Sequence, residues 1–326
     1  PCSCDRCDPD MRVLDRLLVF CAAFVIIINV VPLGARLFWM LELTTHFRAQ
    51  YVVVTVVVLA LAVLRRRWRM VALLAATGAI SVVPLLPYLP RSLASEAAAV
   101  SDTAPLRVLT VNVSYRQFQA KRLLESVREA NPDVIVVQEL TPHAERVLAE
   151  LDTEFPHYRK FPADGAYGIG LWSKHELESG ATIALGRLPA IEARVRGPSG
   201  TFMIIGVHLS APVTQRRAAA RNQQLTELAG RAAAVQGPLI VAGDFNTTPY
   251  SPYFSTWLEA SGLTDSRRGR TLSTSWPTML RWVGIPIDHV AVNDGFTIVS
   301  HRRLRNFESD HFGAVVEVAL RDPEQR

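Results

Sequence analysis

Three apolar runs crowd the first 90 residues of this chain, and they decide what kind of protein it can be. Leu17–Ala35 is nearly uninterrupted and long enough for a membrane span, which takes about 20 residues. Tyr51–Leu64 is rich in Val and Leu but runs for only about 14 residues, which alone would suggest a buried element. Flanking Arg48 and Arg65 can snorkel, however, and Trp68 sits where an interfacial aromatic belongs. A third run, Val71–Leu89, carries Pro84 and Pro87 near its far end. The expectation is three spans across residues 17–90, with two as the alternative.

Positive charge orients them. Arg12 and Arg16 precede the first run, and Arg65, Arg66, Arg67 and Arg69 lie between the second and third. The loop expected from Glu42 to Gln50 holds one Arg and one Glu. Residues 1–16 and the Arg cluster are therefore expected in the cytoplasm, and everything after Leu89 outside. No small-residue cleavage site clearly follows the first run, so it reads as an anchor rather than a removed signal. Met11 reads as the natural start, with residues 1–10 as upstream sequence. All four cysteines fall at Cys2, Cys4, Cys7 and Cys21, and the first three make only a weak zinc pattern with no nearby His. The remainder has none and tolerates an oxidising compartment without disulfides.

Residues 91–105 are rich in Ala and Ser and end in Pro105, as a linker would. From Leu106 onward 25 Lys and Arg face 23 Asp and Glu, a net of +2. So small an excess argues against tight, nonspecific duplex binding, which needs many phosphate contacts. The segment alternates short apolar runs with helical patterns. Strands are expected at Arg107–Val113, Val134–Glu139, Gly168–Trp172, Ile191–Val195, Phe202–Leu209, Leu239–Ala242, Asp288–Val292 and Gly313–Val318. Helices are expected over Ala120–Ala130, from Pro142 to about Glu154 behind a Thr141 cap, from about Thr214 to Val235, and near Tyr253–Ser261. Many strands lack an intervening helix, so a mixed sheet or two packed sheets is expected. One strand–helix–strand pattern, ending in Glu139, echoes another that ends in Asp244.

Several apolar runs end in polar residues that a buried strand does not need: Asn112, Glu139, His208, Asp244 with Asn246, and Asp288. Asp310 and His311 just precede the last strand. Each has a plain alternative as a turn, a cap or a satisfied core histidine. Together, these carboxylates, amides and histidines make an odd structural edge. The set suits phosphoester hydrolysis. A hard cation such as Mg2+ takes oxygen ligands, and Glu139 is the natural anchor, with Asn112 and Asp310 beside it. An Asp–His pair can supply a base. The bland reading of Gly243-Asp244-Phe245-Asn246 by itself is an Asx turn closing a strand.

Thr110-Val111-Asn112, Gln138-Glu139, Gly206-Val207-His208-Leu209, Gly243 to Asn246, Ile287-Asp288-His289 and Ser309-Asp310-His311 occur in the order characteristic of the endonuclease/exonuclease/phosphatase superfamily. The chain resembles that superfamily over residues 106–320, with 321–326 as a tail. The resemblance implies a four-layer α/β/β/α sandwich with two mixed sheets and a divalent-metal phosphoesterase using Mg2+, or Mn2+ in its place. It implies Glu139 as principal metal ligand, with Asn112 and Asp310 at the metal. Asp244 and Asn246 would orient nucleophile and phosphate, His208 would stabilise phosphate charge, and His311 would pair with Asp288. Whether Asp244 or His311 is the base stays open. Tyr167 lies near where some members place a phosphate-contacting Tyr, a loose match; His289 stands where some nucleases carry Tyr.

The membrane runs resemble the anchored bacterial branch that includes the teicoplanin-resistance membrane proteins of actinomycetes. That resemblance implies a lipid-linked phosphate or pyrophosphate, such as a polyprenyl carrier, as substrate and the bilayer as partner. The rival is an extracytoplasmic nuclease, with Arg216-Arg217, Arg267-Arg268-Arg270 and Arg302-Arg303-Arg305 on a nucleic-acid backbone. A catalytically inactive adaptor ranks last, because Glu139, Asp244 and His311 are all present.

Overall fold

A computed structural model describes residues 9–91, 105–280 and 283–321. The chain divides into two compact units, Pro1–Leu86 and Pro87–Arg326. Cys2, Cys4, Cys7, most of the expected linker and all but the first residue of the tail lie outside the described residues.

In the first unit, α1 (Pro9–Val30), α2 (Trp39–Thr44) and α3 (Arg48–Leu64) are linked through short 3-10 turns, and α4 (Trp68–Val82) follows α3 after a turn at Arg65–Arg67. Three helical stretches, Val13–Gly34, Trp39–Leu64 and Trp68–Tyr88, are long and apolar enough to cross a membrane. The expected Glu42–Gln50 loop is helical instead, which lengthens the second stretch to 26 residues. Some of its polar groups find partners within the bundle, so the sequence looked more loop-like than the backbone is. Glu42, Thr45, His46 and Arg48 are buried. The Arg48 guanidinium donates to the Ile80 carbonyl at 2.7 Å. Leu18, Ala22, Val25, Val58, Ala62 and Leu74 form the helix contacts. Asn29 Nδ2 donates to Thr55 Oγ1 at 2.9 Å, while Phe20, Val53 and Leu73 face outward. Small and hydrogen-bonded residues inside with large apolar ones outside is how helices associate in lipid. Asp15 pairs with Arg65 and Arg67, placing the start of α1 and the Arg cluster at one end of the bundle.

The second unit holds two mixed six-stranded sheets. Its strands are β1 (Leu106–Asn112), β2 (Val134–Gln138), β3 (His157–Phe161), β4 (Ile169–Ser173), β5 (Leu177–Leu185), β6 (Leu188–Gly197), β7 (Gly200–His208), β8 (Leu239–Asp244), β9 (Thr264–Asp265), β10 (Asp288–Val292), β11 (Phe296–Arg303) and β12 (Ala314–Leu320). The helices are α5 (Ala120–Ala130), α6 (Pro142–Val147), α7 (Leu151–Glu154), α8 (Gln215–Ala234) and α9 (Pro252–Ser261). The sheet orders are β11-β12-β1-β2-β4-β3 and β5-β6-β7-β8-β10-β9. Each has one parallel pair, β1 with β2 and β7 with β8, flanked by antiparallel neighbours. The repeat visible in the sequence is thus a two-fold repeat of topology.

Alternation along the strands sends one set of side chains between the sheets. Val108, Val136, Ile169, Leu171, Ile204, Ile240, Val290 and Val316 meet there. The other faces are covered: Leu109, Ile135 and Val137 pack on Leu123 and Val127 of α5, and Ile205 and Val241 pack on Leu225 and Leu228 of α8. These three cores are the interfaces of a four-layer α/β/β/α sandwich. Full burial of each such aliphatic side chain contributes about 1.5–3 kcal/mol.

The helix expected from Pro142 to about Glu154 is broken into α6 and α7. Its start is as anticipated, with Thr141 Oγ1 accepting from Ala144 N at 3.0 Å. Strands β3, β5, β9 and β11 were not anticipated.

Candidate active site

Register brings the polar strand ends together. Asn112 lies opposite Gln138, and His208 and Asp288 both lie opposite Asp244. The ends of β1, β7 and β8 and the start of β10 therefore converge on one edge. Gly243 allows this approach: its φ is +153°, and a Cβ there would stand 1.9 Å from the Val207 carbonyl oxygen.

Asp244 is the hub, and it is buried. Its Oδ1 accepts from Asn246 N at 2.9 Å. Its Oδ2 accepts from Asn112 Nδ2 at 3.2 Å and lies 3.6 Å from His208 Nε2 and 3.8 Å from His311 Nε2. Those imidazole distances are too long for good hydrogen bonds and leave a shared space. Burial, and then the neighbouring charge of Asp288, push the Asp244 carboxyl up to about 6.

Asn112 joins two carboxylates, because Nδ2 also donates to Glu139 Oε1 at 3.2 Å. Its Oδ1 is turned to Ser114 N at 2.9 Å. Glu139 adopts a left-handed conformation with φ +59°, which turns it out of the line of β2. Each of its oxygens accepts one hydrogen bond, Oε2 from Tyr115 N at 2.7 Å. Asn246 is also left-handed, at φ +50°, and its Nδ2 donates to the Leu209 carbonyl at 2.8 Å. Two non-glycine residues thus hold this sparsely populated conformation at one edge.

His311 Nδ1 donates to Asp288 Oδ2 at 3.0 Å, and both are buried. Burial alone would lower the imidazole, but Asp288 outweighs it and His311 rises to about 10. Burial alone would raise Asp288, yet His311 and Ser275 hold it below the usual carboxylate range. Asp310, next in the chain, is exposed at the rim, where Trp276 Nε1 donates to its Oδ2 at 3.3 Å. The structure thus gathers Asn112, Glu139, His208, Asp244, Asp288 and His311 directly. Asn246 reaches the group through its backbone N–H, and Asp310 stands at its edge.

Sequence reasoning missed the supports. Ser309 Oγ donates to the Asn112 carbonyl at 2.8 Å and accepts from His311 N at 3.1 Å. Ser275 Oγ accepts from Asp288 N at 3.1 Å. The buried Arg267 donates from Nη2 to the Asp288 carbonyl at 3.1 Å, and Arg221 donates from Nη1 to the Asn246 carbonyl at 3.1 Å. His289 is structural, held between Asp265 Oδ2 at 3.1 Å and the Thr247 carbonyl at 3.0 Å. Ser309 and His289 stand within the sequence motifs, but what each of these residues supports is set mainly by long-range partners.

The donors suit a cation. Glu139 is partly exposed, and each of its oxygens keeps a lone pair beyond its single hydrogen bond. An oxygen-only group is what Mg2+ or Mn2+ takes. Asp244, Asp288 and His311 also offer ligand atoms within 4.8 Å of one another. The hydrogen bond from His311 Nδ1 to Asp288 occupies that second group and fits it better for holding a proton. Asp288 Oδ1 and His208 Nδ1 are buried with no hydrogen-bond partner among the described residues, a cost that a bound ligand or water would relieve.

A profile of the endonuclease/exonuclease/phosphatase family matches residues 109–311. Among solved structures, an endonuclease/exonuclease/phosphatase from Beutenbergia cavernae is 23% identical with a TM-score of 0.55, covering 67% of this chain and 72% of that one. TDP2 of D. rerio, complexed with a single-strand DNA product, is 16% identical with a TM-score of 0.58, covering 66% and 99%. A mannosyl-6-phosphatase of Bacteroides thetaiotaomicron is 15% identical with a TM-score of 0.53, covering 66% and 100%. At these identities the structures share the fold. No curated protein matches the sequence.

Proposed function

Because the chain belongs to the endonuclease/exonuclease/phosphatase family, whose members hydrolyse phosphoesters, we propose that it is a membrane-anchored, extracytoplasmic, divalent-metal phosphoesterase acting on a lipid-linked phosphate or pyrophosphate. The observation that carries the reading is the space around Asp244 Oδ2, bounded by Asn112, His208 and His311. A phosphoryl group needs such an arrangement: an acceptor for the attacking water's proton, and donors for the equatorial oxygens.

Glu139 would hold Mg2+ or Mn2+, with Asn112 and Asp310 beside it. Such a cation offsets phosphate charge and keeps waters in its shell. Asp244 accepts the proton of the attacking water, Asn246 N–H fixing its other oxygen. A carboxyl raised toward neutrality is a better base than an ordinary one. His311, kept cationic by Asp288, donates from Nε2 to a phosphate oxygen rather than serving as base. His208 donates to a second oxygen from the opposite side of Asp244.

The lipid-linked substrate is supported by three helices apolar enough to span a membrane in the same chain. The extracytoplasmic side is supported by the Arg cluster at one end of the bundle, with Arg65, Arg66, Arg67 and Arg69 counted as cytoplasmic. A tethered domain samples the near leaflet at high effective concentration. The test is to assay the full chain in detergent with Mg2+ against a polyprenyl pyrophosphate and single-stranded DNA in parallel, with His311→Ala as the blank. Phosphate release from the lipid alone supports the reading. Cleavage of DNA alone transfers it to a nuclease.

A further inference from the structure

Beside the catalytic edge lies a second concavity that the hydrolytic step does not use. It is a cleft of about 890 Å3, lined by Tyr167 and Ser210, by Arg187 of the β5–β6 turn, and by Arg216, Arg217 and Gln224 of α8. Its walls continue from the site. Ser210 is two residues beyond His208. Tyr167 precedes Gly168, whose carbonyl accepts from Leu140 N, next to Glu139, at 3.1 Å.

The floor is fixed. Gln224 is buried; its Oε1 accepts from Ser210 N at 2.9 Å and its Nε2 donates to the Leu185 carbonyl at 2.9 Å. One side chain thus ties the end of β7 to the turn that carries Arg187. One helical turn from Arg217, Arg221 reaches the Asn246 carbonyl, so α8 is held in register with the catalytic turn.

Three guanidinium groups border this cleft, and none has an ion pair or side-chain hydrogen bond among the described residues. The lining carboxylate, Glu227, is engaged elsewhere, accepting from Gly186 N at 2.6 Å and Gln223 Nε2 at 2.8 Å. Like charges gathered without a counterion repel, and a bound anion relieves the repulsion.

Most of the other Arg groups that could have extended a basic track are committed, and the exposed Arg268 lines a different hollow. Arg267 is buried against the Asp288 and Ser273 carbonyls, and Arg270 donates to the Arg268 and Ile298 carbonyls. Arg303 stacks 4.1 Å from the Phe312 ring centre, and Arg305 pairs with Glu129 at 3.3 Å. Arg187, Arg216 and Arg217 form a local patch at the cleft, not a stripe along which a long polyanion would lie.

We propose that this cleft is a subsite for a second phosphate of a compact, doubly phosphorylated substrate, held by Arg187, Arg216 and Arg217 while the first occupies the Asp244 edge. It deepens the phosphoesterase reading and rests on it for its role in turnover, but not for its affinity. Arg–phosphate contacts are charge-assisted, and pairwise loss weakens binding strongly.

The test titrates the full chain in detergent, with EDTA, using inorganic pyrophosphate and following heat. Wild type binds. Arg216→Ala with Arg217→Ala weakens binding at least tenfold, Arg187→Ala weakens it severalfold, and His311→Ala leaves most of it. Equal binding by wild type and the double Arg variant overturns the proposal. So does tighter, Arg-dependent binding of a twelve-nucleotide single strand, which assigns the patch to nucleic acid. With Mg2+ restored, the double variant should show a KM at least tenfold higher for a diphosphorylated substrate, with unchanged kcat on p-nitrophenyl phosphate. No turnover by any variant, with Arg-dependent pyrophosphate binding intact, would count against the phosphoesterase reading alone.

Discussion

His311 spans two carboxylates: its Nδ1 donates to Asp288 Oδ2 at 3.0 Å while its Nε2 stands 3.8 Å from Asp244 Oδ2. One contact is closed and the other open. The closed one fixes the ring and its charge; the open one leaves a place for a phosphate oxygen. This asymmetry separates the duties of two aspartates that face each other across β8 and β10.

Asp288→Asn should therefore damage catalysis without unfolding the protein. The amide keeps the shape but cannot support the imidazolium. kcat should fall about 100-fold or more, within the range for a misassigned acid–base partner. Circular dichroism should be unchanged, and the His311 titration followed by NMR should move down from about 10.

The pH profile should be a broad plateau. Asp244 must be ionised to accept a proton, and burial raises it to about 6, so kcat/KM rises as pH passes that value. His311 must keep its proton, held to about 10 by Asp288 despite burial, so activity falls beyond it. Steady-state rates from pH 5 to 11 check both limbs. A rate that rises as pH drops below 6 would contradict the assignment of Asp244 as base.

Gly243→Ala should cost more than about 2 kcal/mol, since it combines a backbone conformation with φ +153° and a Cβ 1.9 Å from the Val207 oxygen. β7 and β8 must separate to admit it, so the His208–Asp244 register goes too. Urea unfolding should show the lower midpoint, and activity should be lost beyond what stability explains.

How much of this was legible beforehand depended on whether a residue's partner was near or far in sequence. Ala120–Ala130 declared itself by period, and Thr141 by the Pro that follows. The site residues were legible because each broke an apolar run at its end. Strands β3 and β5 were not, because edge strands with largely exposed side chains show neither a continuous apolar run nor clean alternation. The Glu42–Gln50 helix was hidden by polar residues whose partners lie across the bundle. Arg267 looked like one member of a surface cluster, but its buried guanidinium donates to the Ser273 carbonyl and to the Asp288 carbonyl 21 residues away.

Asp265 supports the site from behind by holding His289 and Arg267. Burial would raise its carboxyl, but His289 and Arg267 lower it below the ordinary value. A lowered folded value means the stabilisation is present above the unfolded carboxylate range and fades as pH falls through it. Asp265→Asn should cost about 3–5 kcal/mol at pH 7, the penalty for breaking a buried pair. The gap from wild type should close as pH drops below about 4. Thermal melts across that range test it.

The most direct test of metal-dependent phosphoester hydrolysis follows p-nitrophenyl phosphate and its bis ester with the full chain in detergent, with Mg2+, with EDTA, and with Glu139→Gln. Turnover should be abolished by EDTA, restored by Mg2+, and lowered at least 100-fold in a folded Glu139→Gln protein. Turnover that survives both chelation and the Glu139→Gln exchange would contradict metal-dependent hydrolysis at this site.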